Sequence, residues 1–437
     1  MLKRALTFVG AFAALALLTG SGFAQDTAPQ VARIVHAGRL LADPASGRVL
    51  SEQSILIGAD GRIVGIEAGY VTRDDAEIVD QRSRFVLPGL IDSHVHLTGE
   101  LGPNQLIEEV TLTPADGALR GAQHARTTLL AGFTTVADLG ASNDAIFALR
   151  RAIDERRVPG PRIIASGYAI TPDGGHGDVA GFSPAVNDAL RSPSACSGAD
   201  ACRRAVRRQI QAGADIIKIT ATGGVLSNTA AGVEQQFSDE ELRAIVEAAH
   251  AMGRRVTAHA HGAGGINAAL RAGVDSIEHG SYTDQESLRL FRQNRAYLVP
   301  TILAGVTVEE MAAAGGVLTP AQADKAREVG TRMRQSIQNA RRSGVRVAFG
   351  TDTGVSRHGL NAREFQFLVE GGYTPVQAIR LATVDAADHL QLDGVAGRIA
   401  PGYSADIIAV DGDPTADVAT LMNVRFVMAR GAVHKDE

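Results

Sequence analysis

Tryptophan is absent from the 437 residues, and aromatic side chains make up only 4% of them. That scarcity argues against a module that stacks nucleobases on aromatic platforms. Basic blocks are missing as well. The formal net charge is -5 and no Lys/Arg stripe stands out, so nucleic acid is not an expected partner. No Gly-x-Gly-x-x-Gly turn or Walker P-loop follows a strand-like run, which leaves nucleotide binding without support. Cysteine is reduced to two residues, Cys196 and Cys202, in SACSGADACRR. No His or acid cluster accompanies them, which speaks against a metal role.

One long apolar run is present, at the N-terminus. Lys3 and Arg4 precede an apolar stretch from Ala5 to Leu18, about 14 residues and short for a membrane span. Gly22, Phe23 and Ala24 then offer a cleavage site before Gln25. Residues 1–24 are therefore expected to be a signal peptide, with an uncleaved anchor as the alternative. No Cys follows the apolar run, so a lipoprotein is not expected. The mature chain is expected in a periplasm or outside the cell, with no membrane attachment. In that oxidising space Cys196 and Cys202 are expected to pair, the alternative being two inert thiols.

Hydrophobic residues reach 45%, enough for an ordinary globular core. ARIVHAGRLL, SILIGADGRIVGIEAG and AEIVDQRSRFVLPG alternate apolar and polar residues between Gly and Asp-Gly turns, the pattern of a small antiparallel β unit. GRIAPGYSADIIAVDGDP and VRFVMARGAVHK repeat the style near the C-terminus. Residues 25–87 and 391–437 are thus expected to build one β-sandwich from both chain ends. Between them, short β-rich runs alternate with helical stretches. Eight such runs are present: GLIDSHVHL, FTTVADLG, RIIASG, DIIKITATGG, RVTAHAHG, VDSIEHG, YLVPT and VRVAFGTD. Ser238 to Glu241 resembles a capping box, and Thr374-Pro375 places Pro in a first helical turn. An α/β fold with a (β/α)8 TIM barrel over residues 88–390 is the expectation, with a doubly wound open sheet as the alternative.

The ends of those runs carry the chemistry. Run one holds His94 and His96, run four Lys218, run five His259 and His261, run six His279 and run eight Asp352. In a barrel every strand C-terminus points to one mouth, so these residues converge. His94 and His96, two apart on a strand, share a face, and imidazoles suit zinc and related metals. Lys218 ends an apolar strand, where burial depresses its pKa. A salt-bridged structural lysine and a Schiff-base lysine are its other readings; the surrounding histidines and Asp352 favour a metal role.

PGLIDSHVHL, the strand-four lysine, HAHG, IEHG and FGTD together resemble the amidohydrolase superfamily, over nearly the whole mature chain. The resemblance implies two divalent metal ions, most simply Zn2+, and a Lys218 carboxylated by carbon dioxide that bridges them. It makes His94 and His96 ligands of one metal, and His259 and His279 ligands of the other. Asp352 becomes the acid/base, which also touches the first metal. HGD at His176, KITATGG and IEHGSY further resemble metal-dependent prolidases, acyl-amino-acid carboxypeptidases and ochratoxin-hydrolysing members. That likeness puts His176, as an oxyanion donor, and His261 near the substrate; a plain loop histidine and a mouth residue are their other readings. Tyr282, Arg357 and His358 fall just past strand ends and are candidates for holding a substrate carboxylate. The implied activity is cleavage of an amide to a C-terminal amino acid in a dipeptide or N-acyl-amino acid. The alternatives are a cyclic-amide hydrolase, a deaminase of the imidazolonepropionase type, a lactonase, and a scaffold that binds without turnover. The resemblance also implies a homo-oligomer, an octamer in its simplest form.

Overall fold

The computed structural model describes residues 30–179, 181–227 and 232–437. The expected leader, residues 1–24, lies outside them. The long middle folds as strand–helix repeats, one strand for each of the eight apolar runs. Leu90–Val95, Phe133–Asp138 and Arg162–Ala165 pair in parallel. Ile217–Thr220, Val256–Ala260, Ser276–His279, Tyr297–Val299 and Arg346–Val347 form a second parallel sheet. Backbone bonds tie the two sheets along both seams. Ile170 N donates to Lys218 O at 2.8 Å on one side, and Ser93 N to Phe349 O at 2.9 Å on the other. Parallel strands covered on both faces read as continuous apolar runs, which is how these appear in the sequence.

The helices follow their caps. Ser238 accepts from Glu241 N and Glu241 reaches back, opening Asp239–His250 with a capping box. Thr374 and Gln377 do the same for Pro375–Arg380, with Pro in the first turn. One helix carries no amphipathic signal. Most of LAGVTVEEMAAAGGVLTP is the helix Ile302–Ala314, followed by the helix Pro320–Arg342. Its first turns are buried on several sides, at Ile302, Leu303, Ala304, Gly305 and Val308, so no polar stripe marks it as helical. Close packing of this hairpin needs Gly305, where a Cβ would sit 2.8 Å from Met333 Sδ.

The two chain ends join in one seven-stranded sheet. Its order is Ala432–Asp436, Val424–Ala429, Ile407–Val410, Glu77–Pro88, Val31–Leu40, Leu50–Gly58 and Ile63–Ala68. The expected all-antiparallel pairing is corrected at one place: Val31–Leu40 and Glu77–Pro88 run parallel. After the edge strand Ile63–Ala68 the chain crosses back past Val31–Leu40, and a crossover of that kind brings the next strand in parallel. Period two then sorts the faces. Ile407 and Ala409 pack with Val35, Ile55 and Phe426, while Ile408 and Val410 join the larger core that contains Phe133. Both faces of Ile407–Val410 are therefore buried. Among the described residues no helix is long and apolar enough to cross a membrane.

After the third parallel strand the chain makes an excursion that carries His176. Its base is closed where Thr171–Pro172 pairs with Ala195–Cys196. Cys196 is disulfide-bonded to Cys202, with Cα atoms 5.1 Å apart, which fixes the excursion to the helix Ala199–Ala212. Because the bridged residues are only six positions apart, the loop-entropy contribution is about 2 kcal/mol. Replacing both cysteines by alanine should lower the unfolding free energy by roughly that amount. The unreduced intact mass of wild-type protein should be two hydrogen atoms lighter than the reduced mass, and two free thiols would overturn the pairing.

Candidate active site

At the C-terminal ends of the parallel strands, buried side chains converge. His94 Nε2 lies 3.4 Å from Lys218 Nζ and 3.4 Å from Asp352 Oδ1, and His96 Nε2 lies 3.1 Å from the same carboxylate oxygen. The His279 ring stands 5.3 Å from that of His94 and 4.6 Å from that of His259. His176 and His261 complete the group, at 4.2 and 4.7 Å from His259. Strand alternation alone would send Glu278 and His279 to opposite faces. A left-handed backbone at His279, φ 70°, lets both reach the cluster. Thr301 and Asp352 also adopt positive φ, so costly backbone gathers at the site.

Each imidazole is aimed by a bond at its far nitrogen. His94 Nδ1 donates to Glu278 Oε2 at 2.8 Å and His96 Nδ1 to Gly140 O at 3.0 Å. His279 Nδ1 pairs with Thr301 Oγ1 at 2.7 Å, and His261 Nδ1 with Ser281 Oγ at 2.7 Å. His259 is turned the other way, with Nε2 3.3 Å from Gly223 O. The nitrogens left over face one another across the cluster. This is how metal-binding histidines are oriented from behind.

Burial holds the His94, His259 and His279 imidazoles neutral, well below their ordinary range. It pulls His176 down to about 4 and His261 to about 3, and the charges of Lys218 and Lys325 act in the same direction. Burial also lowers the Lys218 amine. His96 is the exception: burial lowers it, but the Asp352 carboxylate beside it outweighs that and raises it. Unprotonated nitrogens pointing at one another repel. Asp352 Oδ1 is buried among them and makes no hydrogen bond of good geometry. His94, His279 and Asp352 bring ligand atoms within 4.8 Å of one another, and so do His259, His261 and His279. This donor set fits divalent metal ions, which would satisfy lone pairs that no proton reaches.

A cavity of about 850 Å³ opens above the cluster. Val225, Leu226, Val308, Val329 and Met333 form an apolar side, and Arg120, Arg191 and Tyr168 also line it. Of the residues expected to contact substrate, His176 and His261 line this cavity, whereas Tyr282, Arg357 and His358 do not. Tyr282 packs beneath Arg332. Arg357 is exposed. His358 stacks on His124, with centroids 4.1 Å apart, and Nε2 donates to Gly99 O at 3.0 Å. Position just past a strand end does not determine where a loop side chain turns. The cations that do line the cavity, Arg120 and Arg191, are paired with Glu108 and Asp173 and carry no sequence signal.

A parallel α/β scaffold with a histidine-, lysine- and aspartate-rich cluster at its strand ends has the makings of a metal-dependent hydrolase. The chain belongs to the amidohydrolase family, whose model matches residues 85–433. An ochratoxinase from Aspergillus niger is 32% identical over 418 residues, spanning 90% of this chain and 84% of that protein. A Xaa-Pro dipeptidase solved with methionine in its active site is 38% identical, with TM-score 0.87, covering 92% of this chain and 99% of that one. A prolidase complexed with N-methylphosphonate-L-proline is 31% identical, with TM-score 0.83 over 93% of this chain and 100% of that one. This chain is accordingly a metal-dependent hydrolase of amide bonds.

Proposed function

We propose that the protein releases a C-terminal amino acid with a free α-carboxylate from a dipeptide or N-acyl-amino acid. The observation that carries this reading is the cavity: buried metal-ligand side chains form its floor, apolar residues one side, and His176, His261, Arg120 and Arg191 further lining. Relatives solved with methionine or a proline phosphonate support it. We read the two parallel sheets as one closed (β/α)8 ring, with the terminal strands as its β-sandwich. His94, His96, Asp352, His259 and His279 would hold two zinc ions, and a carboxylated Lys218 would be shared by both. When bound, the ions polarise the scissile carbonyl and make hydroxide available at neutral pH. Asp352 takes the proton of the attacking water and delivers it to the leaving nitrogen. His176, which lines the cavity, would donate to the oxyanion. A cyclic-amide hydrolase or deaminase is the competing reading. Many such enzymes manage with one metal and no lysine, and Lys218 stands against it.

The test is a comparison of paired substrates. N-acyl-phenylalanine, ochratoxin A and hydrophobic Xaa-Pro dipeptides should be cleaved. Their C-terminal amides should lose roughly tenfold or more in kcat/KM, since one charged hydrogen bond is worth about 1.5–3 kcal/mol. Equal values for free and amidated forms, or activity confined to cyclic imides or lactones, would defeat the proposal.

A further inference from the structure

The helix Pro320–Arg342 reaches across to the turn that follows strand Ile217–Thr220. Gln322 and Lys325, three residues apart, share the helix face that meets it. Gln322 Nε2 donates to Leu226 O at 2.6 Å; Lys325 Nζ donates to Gly224 O at 3.0 Å and to Ser227 O at 2.6 Å. Among the described residues Lys325 has no carboxylate partner in any ion pair, so backbone carbonyls of this turn are what satisfy its half-buried ammonium. A cation kept from water without an anion is costly unless its donors are used, and here two of three are used on one turn.

What that turn carries explains why holding it matters. Val225 and Leu226 face the cavity and pack with Val308, Val329 and Met333 in a cluster separate from the main core. Gly224 lies against the His176 ring, so closely that a Cβ there would be 2.3 Å from His176 Cε1. Moving the turn would shift the apolar side of the cavity and loosen the packing on His176 together.

We propose that Lys325 is a specificity-determining positioning residue: with Gln322 it holds the Gly224–Ser227 backbone so that Val225 and Leu226 complete an apolar pocket for the acyl-side residue of the substrate. The proposal rests on the amide-hydrolase reading above and adds to it the class of side chain selected, aliphatic or thioether rather than small or charged. Burying a leucine-sized side chain favours it over glycine by about tenfold to a hundredfold.

The experiment uses metal-loaded wild-type enzyme, Lys325→Met and Lys325→Arg, with leucyl-proline, glycyl-proline, leucyl-prolinamide and glycyl-prolinamide as substrates. Lys325→Met removes the donors but keeps the apolar stem. Its KM for leucyl-proline should rise about tenfold while the value for glycyl-proline stays within twofold, with metal content unchanged. Lys325→Arg, which keeps donors, should recover part of the loss. An unchanged leucyl-to-glycyl ratio in Lys325→Met would overturn the proposal, as would an equal fall for both substrates with loss of metal. Collapse of the acid-to-amide ratio instead would make Lys325 a carboxylate binder and also overturn it. If wild-type enzyme fails to prefer the free acid, the carboxylate reading fails, and the ratio of leucyl-prolinamide to glycyl-prolinamide still decides the role of Lys325.

Discussion

Lys218→Ala is expected to bring turnover to background and to lower the bound metal. The side chain stands second in the wholly buried strand Ile217–Thr220, is only 4% exposed, and sits 3.4 Å from His94 Nε2. No carboxylate within ion-pair distance neutralises it among the described residues, and burial drives its amine toward the neutral form. A neutral amine can take up carbon dioxide; an ammonium cannot. Alanine removes the amine beside His94 Nε2 and with it the ligand that would be shared by the two metals. Lys218→Met separates this from simple cavity creation, because it restores much of the volume without the amine. Metal analysis beside steady-state rates decides the matter. A methionine variant with normal metal content and normal rate would sink the assignment.

Asp352→Asn should behave differently. The amide is nearly isosteric and keeps an oxygen toward His94 and His96, so much of the metal should remain. It cannot accept a proton from water and return it to the leaving nitrogen. General acid–base groups contribute typically 10²–10⁴-fold, so a fall in kcat of about that size is expected. The contrast between the two variants is the informative result: metal and rate lost together at Lys218, rate alone at Asp352. Retained activity in Asp352→Asn would show that the proton travels by another route.

Most residues of this cluster were legible in the sequence because they stand at or near the end of an apolar run, whereas His176, in a loop, was reached only through the resemblance. HVH, HAHG, IEHG and GTD all stand where a buried strand meets the mouth, and strand direction brings them together. What lies behind them was not legible. Glu278 reads as an ordinary acid in SIEH; only the left-handed turn at His279 and the neighbouring strands make it the partner of His94. Thr301 and Ser281 orient His279 and His261 from the next strand end or turn, a relation across the fold with no local pattern. Tyr282, Arg357 and His358 illustrate the opposite case. Their sequence position looked suitable, but loop side chains have no periodicity to say which way they turn. The hairpin helix Ile302–Ala314 leaves no such pattern either: burial on several sides erases the amphipathic stripe on which helix reading depends.

The shared terminal sheet has a bearing on how the chain is made. Leu87 pairs with Ile408, so one side of the strand Glu77–Pro88 stays open until the ribosome has delivered the segment around residue 410. Everything between must be synthesised while that apolar edge waits. Such long-range pairing slows folding and leaves strand edges exposed to aggregation. Chaperone demand during biosynthesis should therefore centre on the early β segment rather than on the strand–helix repeats, whose contacts are more local.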